Sequence, residues 1–380
     1  MKNMKNIKLS FVCAVLTLIC INTSAATSCR IYFNENNSRP TLSEQQVLDL
    51  VDKSKSYQDK RNQEWSERNK CLCCHTTLPY ILARGMDPAS KTNFDKFKEI
   101  AAQRVENTAE LPWYHSDMGG RNSKPTEAVV QALTLLMHDI ASNNPLSSTT
   151  LKSIDRIFEN MNTTGRIHWL DFNLQPFESK KGEFWGNSMA ILAVEMAQKN
   201  SQYVAPADKY NKLKEYVLRN TDKLKPNEMS VLIWANSMNL HNARITDKLL
   251  TSDLYNRYIS SIVASQNANG SWNQKAVLGQ GKNNEDVYST AIALIGLIKG
   301  GQGNIPSVHK AANWLAAQQQ TGNLLSMGDG STLWVSTSMN RENALFNNRF
   351  ASDFATSYAS LALQFYKSDV MTLPPMAAGQ

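Results

Sequence analysis

The run Cys71-Leu72-Cys73-Cys74-His75 carries the densest set of chemically competent side chains in the sequence. Cys71, Cys74 and His75 spell C-x-x-C-H, the spacing at which a c-type haem is attached. Two thiolates three positions apart on one turn can add to the two vinyl groups of a porphyrin. The histidine that follows is then carried under the macrocycle, where a neutral imidazole can ligate iron. On this reading Cys71, Cys74 and His75 hold haem c covalently and His75 is the proximal iron ligand. His115 and Met118, in Trp113-Tyr114-His115-Ser116-Asp117-Met118-Gly119-Gly120, are the candidate distal ligands. Six-coordinate iron would suit electron transfer with a periplasmic redox partner. Two other readings compete. A structural zinc site needs four ligands, usually in two pairs, and no second Cys/His pair is visible. A redox Cys-x-x-Cys pair or a soft-metal thiolate site is the remaining choice.

The compartment bears on that choice. Residues 1–26 read as an export signal: Lys2, Lys5 and Lys8, then an apolar run from Leu9 to Ile21, then Ser24-Ala25-Ala26 as a cleavage site. The apolar run, roughly a dozen residues, is short of the about 20 needed to span a bilayer. The expected location is therefore the periplasm or the exterior, with a lipoprotein the weaker alternative. In an oxidising compartment thiols pair, and Cys29 with Cys73 would be left over once haem had taken Cys71 and Cys74. The formal charge is +7, but basic and acidic residues are interspersed. No Lys/Arg run marks a nucleic-acid footprint, and no later segment reads as a transmembrane span.

The remaining chain supplies the scaffold. From residue 90 onward helix-length segments alternate with Asn/Gly/Pro/Ser punctuation. Expected helices cover 90–107, 125–141, 148–160, 182–199, 207–220, 227–238, 246–266, 284–299, 305–320 and 350–366. An earlier helix over 41–70 has Ser43 as its cap and a solvated second half around Trp65. The best strand pattern, Leu333-Trp334-Val335-Ser336, is short, so the fold class is all-α.

Five segments share small-plus-aliphatic faces, among them 126–133, 186–193, 288–294 and 356–363, and more charged helices lie between them. Recurrence of that kind signals helical hairpins, the small faces forming an inner ring. The stretch Gln266-Asn267-Ala268-Asn269-Gly270-Ser271-Trp272 then resembles the QW motif of the squalene-hopene cyclase and terpenoid cyclase superfamily. Its members are (α/α)6 toroids, in which the Gln caps helix ends and stacks on the Trp of a neighbouring hairpin. Gln318-Gln319-Gln320-Thr321-Gly322-Asn323-Leu324 resembles a second copy with Leu324 in the Trp place, and Gly165-Arg166-Ile167-His168-Trp169 keeps the end of a third. The segment C-x-x-C-H-T-x-L-P also resembles cytochrome-like segments attached to bacterial toroids of this kind. The resemblance implies an α/α toroid over 90–368, an N-terminal helical extension with the Cys motif over 27–89, and a tail over 369–380.

The chemistry of those relatives does not carry over. Asp-x-Asp-Asp, which protonates alkenes, is absent, so cyclase activity is not expected, and no cysteine follows Cys74 to build a prenyltransferase zinc site. Trp169, Trp185, Trp234 and Trp272 are candidates to line a central apolar cavity, with packing in the core as the plainer reading. Asp286 and Asp353 read as helix-start carboxylates. Glu178 reads as a loop carboxylate at a cavity mouth. Two functions follow: a haem toroid in periplasmic redox chemistry, or a non-redox toroid binding a hydrophobic or glycan ligand, its Cys cluster a disulfide or metal staple. A divergent cyclase-like enzyme is a variant of the second.

Overall fold

The computed structural model describes residues 41–69, 72–87, 91–107, 123–240, 248–322, 325, 330–341 and 344–372. Within them the chain is helical: α1 Glu44–Asn69, α2 Thr77–Arg84, α3 Lys91–Glu106, α4 Ser123–Ala141, α5 Ser148–Glu159, α6 Glu183–Asn200, α7 Ala207–Leu218, α8 Pro226–Leu240, α9 Ser252–Ala264, the short α10 Gln274–Leu278, α11 Val287–Lys299, α12 Pro306–Ala317 and α13 Leu345–Tyr366. The only sheet described is a two-stranded antiparallel ribbon, β1 Gln319–Thr321 against β2 Thr332–Trp334.

Helices α2, α4, α6, α8, α11 and α13 each pack on the next, and α13 packs back on α2, closing a ring. Helices α1, α3, α5, α7, α9 and α12 alternate with them in sequence and lie outside, which makes an α/α toroid. The burial pattern accounts for the layering. Every residue of α11 from Val287 to Ile298 is buried, as an apolar helix enclosed on all sides must be. Outer α5 is buried only on one stripe, Thr150, Ser153, Ile154, Arg156, Ile157 and Phe158. The segment expected as an extension ahead of the toroid, α1 with α2, packs as its first hairpin. Helix α13 begins at Leu345, earlier than the spacing of its small residues suggests.

Side-chain caps set several starts. Ser43 and Gln46 form a reciprocal box at α1: Gln46 N donates to Ser43 Oγ at 3.1 Å and Ser43 N to Gln46 Oε1 at 2.7 Å. Thr251 caps α9, and Asp286 caps α11 by accepting from Ser289 N at 2.8 Å.

The hairpin repeat is built on one recurrent bond set. Trp272 is fully buried; its indole N–H donates to Ile262 O at the end of α9, and its backbone N donates to Thr290 Oγ1 of α11. Gln266 ties the same turn to the next outer helix through Ser307 O. Trp334 makes the same pair of bonds, to Leu315 O of α12 and Thr356 Oγ1 of α13. The second copy therefore has Trp334 in the Trp place, delayed by the β-ribbon, and not Leu324, which lies outside the described residues. In the third copy Ile167 stands there, bonded through its N to Asn187 Oδ1. Trp169 instead donates to Phe177 O. The first and third copies share a glycine at positive φ two residues earlier, Gly270 at 96° and Gly165 at 87°. At Gly270 a Cβ would lie 2.6 Å from the Lys310 backbone. Gly270→Ala should therefore lower stability by more than about 1 kcal/mol, read as a lower midpoint in urea denaturation.

Candidate functional site

The centre of the ring is filled. Phe177 follows the cis Gln175–Pro176 peptide on the loop between α5 and α6 and is fully buried. Its ring lies 4.3 Å from Trp185, 5.2 Å from Phe354, and 5.3 Å from both Tyr288 and His75, centroid to centroid. Those partners come from α6, α13, α11 and the turn before α2, so one side chain plugs the axis. The four tryptophans considered for a central cavity are packing residues, as the plainer reading had it. Trp185 and Trp169 meet edge to face at 5.7 Å, Trp234 packs on Phe365, and Trp272 belongs to the hairpin turn.

The Cys-His segment enters this plug from the side. His75 is 1% exposed and faces Phe177, Phe350 and Phe354. Its Nδ1 lies 3.5 Å from Glu178 Oε1, and its Nε2 is buried without a hydrogen-bond partner. Glu178 Oε1 also accepts from Cys74 N at 3.4 Å. Burial works to raise the Glu178 pKa, but the charge and hydrogen bonds of His75 and Cys74 outweigh it, holding it below the usual carboxylate value. Glu178 and burial together act on Cys73 in the opposite sense, with burial the larger effect, and push its thiol up to about 11. Cys73 and Cys74 are buried and stand outside any disulfide. Cys71, Cys29, His115 and Met118 lie outside the described residues.

What holds this segment in place is Asp353. Its carboxylate accepts two bonds from Arg61, at 2.8 Å each, one from Tyr57 at 2.9 Å and one from Thr76 Oγ1 at 2.9 Å. Asp353 sits within α13 and joins α1, α2 and α13. This differs from the helix-start role expected for it. It also explains why the polar second half of α1 is not a solvated face: Tyr57, Gln58, Arg61, Asn62 and Ser66 are buried because a paired charge waits inside.

Beside the plug, off the axis, lies a cavity of about 210 Å³ between the first two hairpins. Trp65, Cys73, Cys74, Glu127, Gln131 and Glu178 are on its wall, with Leu72, Asn69, Ser123, Thr126, Val130, Leu170 and Phe172. Glu127 is paired with Arg104, whose Nη2 lies 3.0 Å from Oε2, and receives Gln131 Nε2 at 3.4 Å. Two atoms of this wall are buried without a partner, Ser123 Oγ and Gln131 Oε1. Buried polar groups are nearly always bonded to protein, water or ligand, so both atoms are available to a polar guest.

His75 is enclosed by three phenylalanines, Phe177, Phe350 and Phe354. Among the described residues no three His, Cys, Asp or Glu side chains converge as metal ligands. None of the described helices is long and apolar enough to cross a membrane. His138 and His309 are packing residues, bonded to Asp95 and Tyr366.

Two measurements check these networks. Asp353→Ala strands the Arg61 charge in the interior and should cost about 3–5 kcal/mol, read by chemical denaturation. Glu228, buried at the start of α8, has its pKa raised to about 7 by desolvation, against hydrogen bonds from Lys225 N and Asn227 that oppose it. An unfolded glutamate ionises near 4.3. Between those values the folded chain holds the extra proton, so stability falls as pH rises from about 4.5 to 7 and then levels. Glu228→Gln should remove that component, gaining about 3 kcal/mol on the native chain at pH 8 relative to pH 4.5.

No family model matches the chain, and no curated protein matches it in sequence. Solved structures do. A glycosyl hydrolase family 88 protein from Bacteroides vulgatus aligns at TM-score 0.54 and 12% identity, over 86% of this chain and 99% of that one. A polysaccharide lyase aligns at TM-score 0.53 and 15% identity, over 88% and 99%. An unsaturated glucuronyl hydrolase specific for heparin aligns at TM-score 0.53 and 9% identity, over 86% and 100%. At these identities the likeness extends to the fold: the chain is an α/α toroid.

Proposed function

We propose that this protein is an exported toroid that binds a glycan in the off-axis cavity between its first two hairpins. The observation that carries the reading is the pair of buried, unpartnered polar atoms on that wall, Ser123 Oγ and Gln131 Oε1. A purely apolar ligand would leave both unbonded, at about 1–3 kcal/mol each. A sugar offers hydroxyl groups to them and apolar C–H faces to Trp65 and Phe172. At about 30 Å³ per water, the cavity has the room of roughly seven waters, which suits one ring of a saccharide. The toroids of similar architecture include a polysaccharide lyase and a glycosyl hydrolase, which supports a carbohydrate over a lipid. In this reading the Cys-His segment is structural: it positions Glu178 and seals the plug.

The competing assignment is a haem on Cys71 and Cys74 with His75 on iron. It requires His75 to leave the cage of Phe177, Phe350 and Phe354. One preparation separates the two. The protein, exported from a host with cytochrome c maturation machinery, is run on a denaturing gel and stained for haem, then titrated with neutral oligosaccharides while tryptophan fluorescence is followed. The expected result is no stain and a saturable fluorescence change that Trp65→Ala removes. A stain that disappears in Cys71→Ala, with no response to any sugar, would replace this proposal by the redox one. A turnover assay on any sugar that binds then distinguishes a binding protein from an enzyme.

A further inference from the structure

The cavity wall has a sign. Its charged side chains are Glu127 and Glu178, and among the described residues no lysine or arginine lines it. Arg104 reaches Glu127 from outer helix α3, so one of the two charges is compensated from behind. Glu178 is met by His75 Nδ1 at 3.5 Å, by the Cys74 N–H at 3.4 Å and by the Cys74 side chain, and no lysine or arginine among the described residues pairs with it. Gln131 turns its amide N–H₂ to Glu127, which leaves its carbonyl oxygen as the unbonded atom. The wall therefore offers acceptors: two carboxylates and a buried amide carbonyl, with the Ser123 hydroxyl able to play either part.

We infer that the site takes an amine-bearing saccharide, a protonated amino sugar, in preference to a neutral one, and rejects a uronate. This rests on the glycan reading above and names the ligand class for the same cavity. An ammonium group donates three hydrogen bonds and complements Glu178 in a low-dielectric pocket, where charge-assisted bonds are the strong ones. A uronate carboxylate would face two carboxylates and an unbonded carbonyl. The formal charge of +7 on the whole chain works the other way, but it is spread over the surface and screened beyond about 8 Å at physiological salt. The local wall decides.

The inference sets this chain apart from the unsaturated glucuronyl hydrolase of similar fold. The test is calorimetric titration of the native protein at about pH 6, where an amino sugar is protonated and an ordinary carboxylate is ionised. Three tetrasaccharides are compared: glucosamine, N-acetylglucosamine, and alternating N-acetylglucosamine and glucuronate. The amine form should bind at least about tenfold tighter than the acetylated form, and the uronate form weaker than both. The preference should shrink as salt is raised, and the ratio should approach one in Glu178→Gln, whose folding is checked by its thermal transition. Equal or tighter binding of the acetylated or uronate form overturns the inference while leaving the glycan reading in place. Binding of none of the three removes the glycan reading and this inference with it.

Discussion

The layout of the candidate site depends on one contact: the Phe177 ring seated where inner helices α6, α11 and α13 converge. Six inner helices closing a ring leave a hole, and an unfilled apolar hole costs dispersion contacts on all its walls. Phe177 supplies them at once to Trp185, Tyr288, Phe354 and His75. Its loop also brings Glu178 to the side of α2, so the plug and the carboxylate of the candidate site are set by the same short segment. The space left for a ligand is consequently off-axis, between the first two hairpins.

The closure of the ring imposes the second constraint. The last inner helix must return to the first, and it does so through a buried charge. Asp353 accepts from Arg61, Tyr57 and Thr76, joining α13 to α1 and to the turn before α2. Replacing such a cluster by apolar groups is often neutral for stability, whereas removing one member is not. Its role here is register: it fixes the Cys-His turn against the plug, and so fixes where Glu178 meets the cavity. Chain closure and site geometry are the same structural fact.

Much of the scaffold was legible in the sequence. Small-plus-aliphatic segments at 126–133, 186–193, 288–294 and 356–363 identify inner helices, because only helices buried all round can dispense with a polar face. The Gln266–Trp272 turn identifies the hairpin repeat. The Trp334 copy was hidden because an inserted ribbon displaces it, and a pattern of fixed spacing cannot follow an insertion. Phe177 and Asp353 were hidden for another reason. Each works through partners distant in sequence, and a lone Phe on a loop or an Asp among small residues carries no local signature. Cys71 to His75 point toward iron by residue type and spacing alone, which say nothing of what surrounds them. The buried cage around His75 is a tertiary property. Glu178 stood out as a loop carboxylate and Glu127 did not, because the cavity uniting them with Trp65 depends on the closed ring.

The central claim is that the ligand site lies off-axis, beside an intact aromatic plug. The most direct test is a crystal structure of the protein soaked with an amino-sugar oligosaccharide. The account predicts sugar density between Trp65 and Glu178, within hydrogen-bond reach of Gln131 Oε1, with Phe177 still seated against Trp185. Density on the ring axis with Phe177 displaced, or a macrocycle bonded to Cys74 with His75 turned toward its metal, would contradict it.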